Sequence, residues 1–199
     1  MSENRRNEIV FATLELASEK GLGTVSMQQI ADKVGITKAS LYNHFSSREE
    51  IVDAMYEVIR QSTKDRMSIG DVDYEGLASS GSMEEVLSKS VMSYRGMVRD
   101  PKLNLFYKVI ISERATNPKA AEIMVRETET MIDATKRLLI ALQSKGKASF
   151  FDVDATAFSF AMAVHSIIDL EFDLTAAGRN LKEGMLRGYI DEFCRIYSA

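Results

Sequence analysis

Lys38, Ala39, Tyr42 and Asn43 fall at the spacing of one helical face. Together they offer an ammonium, a methyl, a phenol and a carboxamide, groups that can distinguish the donors and acceptors on base-pair edges in a DNA major groove. Ser26, Thr37, Tyr42, His44 and Arg48 stand at helix starts or flanks, where hydroxyls, ring N–H groups and a guanidinium can hold phosphate oxygens. The first set would read sequence and the second would set register. His165 and Asp169, spaced i, i+4, are a different candidate, a metal-ligand pair. No third ligand accompanies them, so a hydrogen-bonded histidine is the expectation, with no metal and no cofactor. Glu122 and Glu127 could join them as acids of a helical-bundle enzyme, but no nucleophile or partner base is identifiable, and the chain is expected not to be an enzyme. The acidic run Asp169, Glu171 and Asp173 reads as a solvated or interface helix end.

The elements that must position these residues are marked by caps. Ser26-x-x-Gln29, Ser47-x-x-Glu50 and Ser82-x-x-Glu85 fit capping boxes, and Asp100-Pro101 and Asn117-Pro118 put proline at a first helical position. With Asp152 and Asn180 as further caps and Gly21, Gly146 and Gly178 as stops, helices are expected near 3–20, 27–33, 38–44, 48–66, 83–99, 101–115, 118–145, 153–175 and 181–197. No window alternates long enough for a strand, and no repeat is present. The fold class is all-α, with about nine helices. The polar stretch Ser68 to Ser82 reads as a connection between helical layers, the helix before it spanning both parts.

The chain has 199 residues, 45% of them hydrophobic and 27% charged, the composition of an ordinary globular protein. Its single cysteine, Cys194, excludes an intrachain disulfide and reads as a packing residue. The longest charge-free apolar stretch, Ala155 to Ile168, is shorter than the roughly 18 residues of a membrane span, and the N-terminus lacks signal-peptide character. A cytoplasmic, membrane-free protein is expected. The net charge of −4 excludes a bulk polycation. In residues 1–46, Arg5, Arg6, Lys20, Lys33 and Lys38 are matched by Glu3, Glu8, Glu15, Glu19 and Asp32, so any nucleic-acid contact must be local.

Residues 27–46, MQQIADKVGITKASLYNHFS, read as two short helices joined by a glycine turn: Ile30, Ala31 and Val34 face inward, Gly35 turns, and Ile36, Leu41 and Phe45 anchor the second helix. With Ile9-Val10, Ala12, Leu14, Leu16-Ala17 and Lys20-Gly21 before them, and Ser47-Arg48-Glu49-Glu50 after, this segment resembles the N-terminal domain of TetR-family transcriptional regulators over about residues 4–60. The resemblance implies an all-helical homodimer whose three N-terminal helices bind DNA and whose variable C-terminal domain dimerises and holds a small molecule. Asn43 stands where many members carry a second aromatic, and Arg48 where lysine is common, so an operator cannot be copied from a relative.

The domains are accordingly 1–47, a helix-turn-helix DNA-binding domain, and 48–199, a ligand-binding and dimerisation domain entered through the linking helix at 48–66. Apolar faces carrying Phe158, Met162, Ile167 and Leu170, and Leu181, Met185, Leu186, Tyr189 and Phe193, place the homodimer contact on the last two helices. Seven of the methionines (Met83, Met92, Met97, Met124, Met131, Met162 and Met185), with Tyr94, Phe106, Tyr107, Phe158 and Phe160, suggest an adaptable cavity, and Tyr94, Met97, Phe106, Met131, Met162 and His165 are its named lining. The expected function is a repressor released from a palindromic double-stranded DNA operator by a small apolar or aromatic ligand. The alternative is a DNA-binding adaptor controlled by a protein partner, with no ligand pocket.

Overall fold

The amides that open a helix lack intrahelical acceptors, and this chain meets that need with side-chain oxygens. The computed structural model describes residues 2–66 and 72–199, and among them places ten α-helices and no strand. They are α1 (Ser2–Lys20), α2 (Met27–Val34), α3 (Lys38–Tyr42), α4 (Arg48–Arg66), α5 (Tyr74–Ser79), α6 (Met83–Val98), α7 (Pro101–Glu113), α8 (Pro118–Ser144), α9 (Val153–Ala176) and α10 (Met185–Tyr197). A single 3-10 turn, Leu22–Thr24, and one isolated bridge between Ala148 and Ser198 complete the regular structure described.

Most caps stand where the sequence puts them. The Ser26 and Ser82 hydroxyls accept from the Gln29 and Glu85 amides, and those side chains accept in return from the Ser26 and Ser82 amides. Asp100, Asn117 and Asp152 cap α7, α8 and α9 through the amides of Leu103, Lys119 and Ala155. At α4 the box is displaced: the Ser47 hydroxyl accepts from the Glu50 amide, but the Glu50 carboxylate turns to the amide and hydroxyl of Ser46.

Three boundaries differ from expectation. α5 lies inside the stretch read as a connection, because the Asp73 carboxylate accepts from the Gly76 amide at 2.8 Å and starts a turn that Leu77 and buried Ala78 complete. Residues 68–71 of that connection lie outside the described residues. α3 ends at Tyr42 rather than 44, since the Asn43 and His44 amides tighten onto the Ser40 and Leu41 carbonyls. Asn180 caps nothing at the last helix: Gly184, left-handed at φ 77°, holds the chain out of helix until Met185.

The chain folds as two compact units, divided elsewhere than at 47/48. The first comprises residues 1–67 and 99–127. In it α1 packs on α2, α4 and α7, so α4 and α7 share a core with the N-terminal helices. Ile9, Leu14, Ile30, Leu41, Phe45, Ile51 and Met55 are buried there, and the Phe11 and Phe106 rings lie 6.3 Å apart. The second comprises residues 68–98 and 128–199, with α10 packed on α6 and α9. Leu87, Leu139, Leu142, Ile168 and Ile190 fill it. Phe193 joins its aromatic cluster, with ring centroids 4.5 Å from Phe160 and 4.7 Å from Tyr197. This packing corrects part of the expected dimer face: Leu186 and Phe193 are spent on their own unit's core and Leu181 lies outside α10, whereas Phe158, Leu170 and Met185 stay exposed. α9 is long and apolar enough to meet a membrane-span criterion by composition, yet it buries Thr156, Ala157, Phe160, Ala161, Val164 and Ile168 inside the unit and carries Asp154, Asp169 and Asp173.

Candidate nucleic-acid interface

Met27, Ile30 and Ala31 are the buried side of α2, and Ala31, with no side chain beyond Cβ, is fully buried. Gly35 then takes the left-handed conformation at φ 74°, and the Ile36 amide donates to the Ala31 carbonyl at 3.0 Å, which closes the helix and reverses the chain. Thr37 caps α3 by accepting from the Ser40 amide at 3.1 Å. Leu41 and Phe45 anchor that helix in the core, which turns Lys38, Ala39, Tyr42 and Asn43 outward together. All four base-reading candidates are therefore exposed, Tyr42 at 47%. Ser26 and Thr37 are exposed beside them and His44 is half-buried.

The charge on this surface is sorted by pairing. Arg5 pairs with Glu8 and Lys33 with Glu15, whose hydrogen bond raises the lysine's pKa. Among the described residues no acid pairs with Lys38, which leaves it as the cation of the exposed α3 face.

Two arginines play parts that spacing did not reveal. Arg6 stacks its guanidinium 3.9 Å from the Phe45 ring centroid, donates to the His44 carbonyl and donates to Glu50 at 3.1 Å. The Glu50 carboxyl is held below the usual range by the Ser46 amide and hydroxyl first, then by Arg6. Arg48, half-buried, donates through Nε to the Val25 carbonyl at 2.7 Å and through Nη2 to the Leu22 carbonyl, so its fork is anchored on the α1–α2 connection. Neither role has a local signal, since the acceptors lie 23 to 44 residues away.

The expected cavity residues divide between the units. Phe106 belongs to the first, packed against Phe11, while Tyr94, Met97, Met131, Met162 and His165 belong to the second. There the Tyr94 hydroxyl and His165 Nδ1 lie 2.9 Å apart, and His165 Nε2 lies 3.3 Å from Asp169 Oδ2, a polar chain that runs from half-buried Tyr94 and His165 to exposed Asp169. One residue on, Arg95 forks onto Glu171, with Nε to Oε2 at 2.9 Å. Met97, Met131 and Met162 are half-buried. Glu122 is exposed and paired with Arg126 at 2.8 Å, and Cys194 is buried. Among the described residues no three His, Cys, Asp or Glu side chains converge as a metal site would require.

This helix, glycine turn and outward-facing short helix lie within residues 9–55, which match the model of the bacterial regulatory proteins of the tetR family. Over these residues the chain is similar to the tetR-family regulators. The transcriptional repressor KstR2 of Mycobacterium tuberculosis H37Rv is 40% identical over 52 residues, 26% of either chain. KstR2 of Rhodococcus jostii is 33% identical over 87 residues, 43% of this chain and 41% of its own. The nucleoid occlusion factor SlmA of Vibrio cholerae is 35% identical over 66 residues, 33% of this chain and 34% of its own. The matches thus span about a quarter to two-fifths of these relatives' lengths. Solved structures agree over the whole chain. A TetR-family transcriptional regulator from Pseudomonas syringae superimposes with a TM-score of 0.67 at 17% identity, covering 100% of this chain and 99% of that one. A Saccharomonospora viridis chain solved in complex with choline gives 0.71 at 18%, covering 100% of both. At such identity the likeness establishes the TetR all-α fold. The family is described as bacterial regulatory proteins, and the Pseudomonas syringae neighbour as a transcriptional regulator.

Proposed function

We propose that this chain is a homodimeric TetR-family transcriptional repressor that reads a palindromic operator with two copies of α3 and is released by a small apolar or aromatic ligand held in its second unit. The observation that carries the DNA reading is the α3 face: Lys38, Ala39, Tyr42 and Asn43 exposed side by side, with no acid paired to Lys38 among the described residues. Ser26, Thr37, Tyr42 and His44 flank it as phosphate contacts. Exposed Phe158, Leu170, Met185 and Ile196 on α9 and α10 support a two-fold contact through the last two helices. Two α3 helices in a dimer would enter successive major grooves about 34–36 Å apart. The Tyr94, His165 and Asp169 chain supplies polar orientation for a ligand among half-buried methionines. A ligand acts only by favouring a dimer whose reading heads are wrongly spaced, which shifts the population off the operator. Such a protein works in the cytoplasm.

Selection of bound duplexes from a random-sequence library tests this directly. A two-fold symmetric consensus is expected, and Lys38→Ala should weaken binding to it by about 1–3 kcal/mol while leaving random duplex less affected. Recovery of no consensus sinks the reading. The second reading, control by a protein partner, is favoured by Phe151, which stands fully exposed beside the α9 cap Asp152. Phe151→Ser leaving regulation in cells intact would remove that support.

A further inference from the structure

Arg48 opens α4 as its first helical residue, behind the Ser47 cap. Its Nε and Nη2 diverge onto carbonyls three residues apart, Val25 and Leu22, whose side chains are both buried. The Leu22 carbonyl also accepts the Val25 amide at 3.2 Å, and Val25 immediately precedes Ser26, the cap of α2. A guanidinium suits this task because its planar fork serves two acceptors at once, which a lysine ammonium on a flexible stem does poorly. On the opposite flank Arg6 binds the His44 carbonyl just past α3 and Glu50 in the first turn of α4. The start of α4 is thus tied to the start of α2 by one arginine and to the end of α3 by the other.

We propose that Arg48 is a positioning residue, a latch that fixes α4 to the entrance of α2, rather than a phosphate contact. Swinging its head to a phosphate would release two charge-assisted hydrogen bonds, take from the Val25 carbonyl the donor described for it and leave the Leu22 carbonyl with the Val25 amide alone. The latch makes α4 and the reading head one body, so displacement of α4 carries α2 with it. Arg48 acts on DNA through the placement of Ser26 and α2.

The inference rests on the DNA-binding reading, and its test separates the two. Arg48→Lys and Arg48→Met are compared with the unaltered full-length chain for affinity to the selected duplex across a salt series, and for amide hydrogen exchange at Val25 to Gln29 without DNA. A latch predicts that both variants bind about tenfold more weakly or worse, that the slope of log affinity against log salt stays at its original value, and that exchange at these amides accelerates. A phosphate contact predicts that Arg48→Lys binds normally and that Arg48→Met loses about one unit of slope, which overturns the proposal. Unchanged affinity and exchange in both variants overturn it as well. If the unaltered chain selects no duplex, the DNA reading fails, while the exchange comparison still decides whether Arg48 holds the α2 entrance. Should Arg48→Met not fold, Arg48→Lys decides alone.

Discussion

Single side chains in this protein divide into those that are held and those that are left out. Lys38 is left out: among the described residues no acid satisfies its ammonium, which is what the proposed reading of DNA by α3 uses. Cys194 and Tyr56 are held. Burial first, then the charges of Glu84 and Asp191, pushes the Cys194 thiol from 9.0 up to about 11. Burial and then Glu113 push the Tyr56 phenol from 10.0 up to about 12. Both folded values exceed the unfolded ones, so the folded state keeps protons that the unfolded state has already released. The stability these groups contribute is complete below about pH 9 and lost as pH rises through 11 and 12. Urea midpoints measured from pH 8 to 12 should therefore fall most steeply between about pH 10 and 11, where the two windows overlap, and level off towards 12. At pH 8 a thiol reagent should label native Cys194 only as fast as the protein opens, and prompt labelling would show the thiol to be accessible.

Short helices cannot stand on propensity alone, and α2 and α3 survive by their ends. α3 is five residues long, held by the Thr37 cap before it and by Leu41 and Phe45 in the core. The turn that joins it to α2 depends on Gly35 at φ 74°, where a side chain would meet no atom within 4 Å but would strain the backbone. Gly35→Ala should accordingly cost about 1–2 kcal/mol, all of it conformational, read as a lower denaturation midpoint with DNA affinity reduced in step. A stability unchanged within error would mean that the turn relaxes to another conformation. In the second unit α6 and α9 are fastened by Arg95 on Glu171 and by Tyr94 on His165.

For the molecule as a whole, charge and symmetry set what DNA binding can look like. The first 46 residues balance five bases against five acids, Arg5 and Lys33 pairing with Glu8 and Glu15 of that set and Arg6 with Glu50 beyond it. Few phosphates can be neutralised, so affinity should fall only gently with salt, each contact adding about −0.9 to the logarithmic slope. A slope steeper than about −6 in a titration from low to physiological salt would require a cationic surface elsewhere. The same experiment at rising protein concentration should show one dimer per palindrome.

The all-α class, most helix starts and the outward face of α3 were legible in the sequence because each is a local matter. A serine, glutamine or glutamate at fixed spacing caps its own helix, and a buried Leu41 fixes which residues point outward. Where local rules compete, the sequence misled: Asp73 started a helix in a polar stretch, and Gly184 delayed α10 past Asn180. The two arginine clamps, the burial of Leu186 and Phe193, the meeting of Tyr94 with His165 and the grouping of α4 and α7 with the N-terminal helices were decided by tertiary structure alone. Each joins groups dozens of residues apart, and no spacing rule along the chain reports which distant carbonyl, ring or helix a side chain will meet.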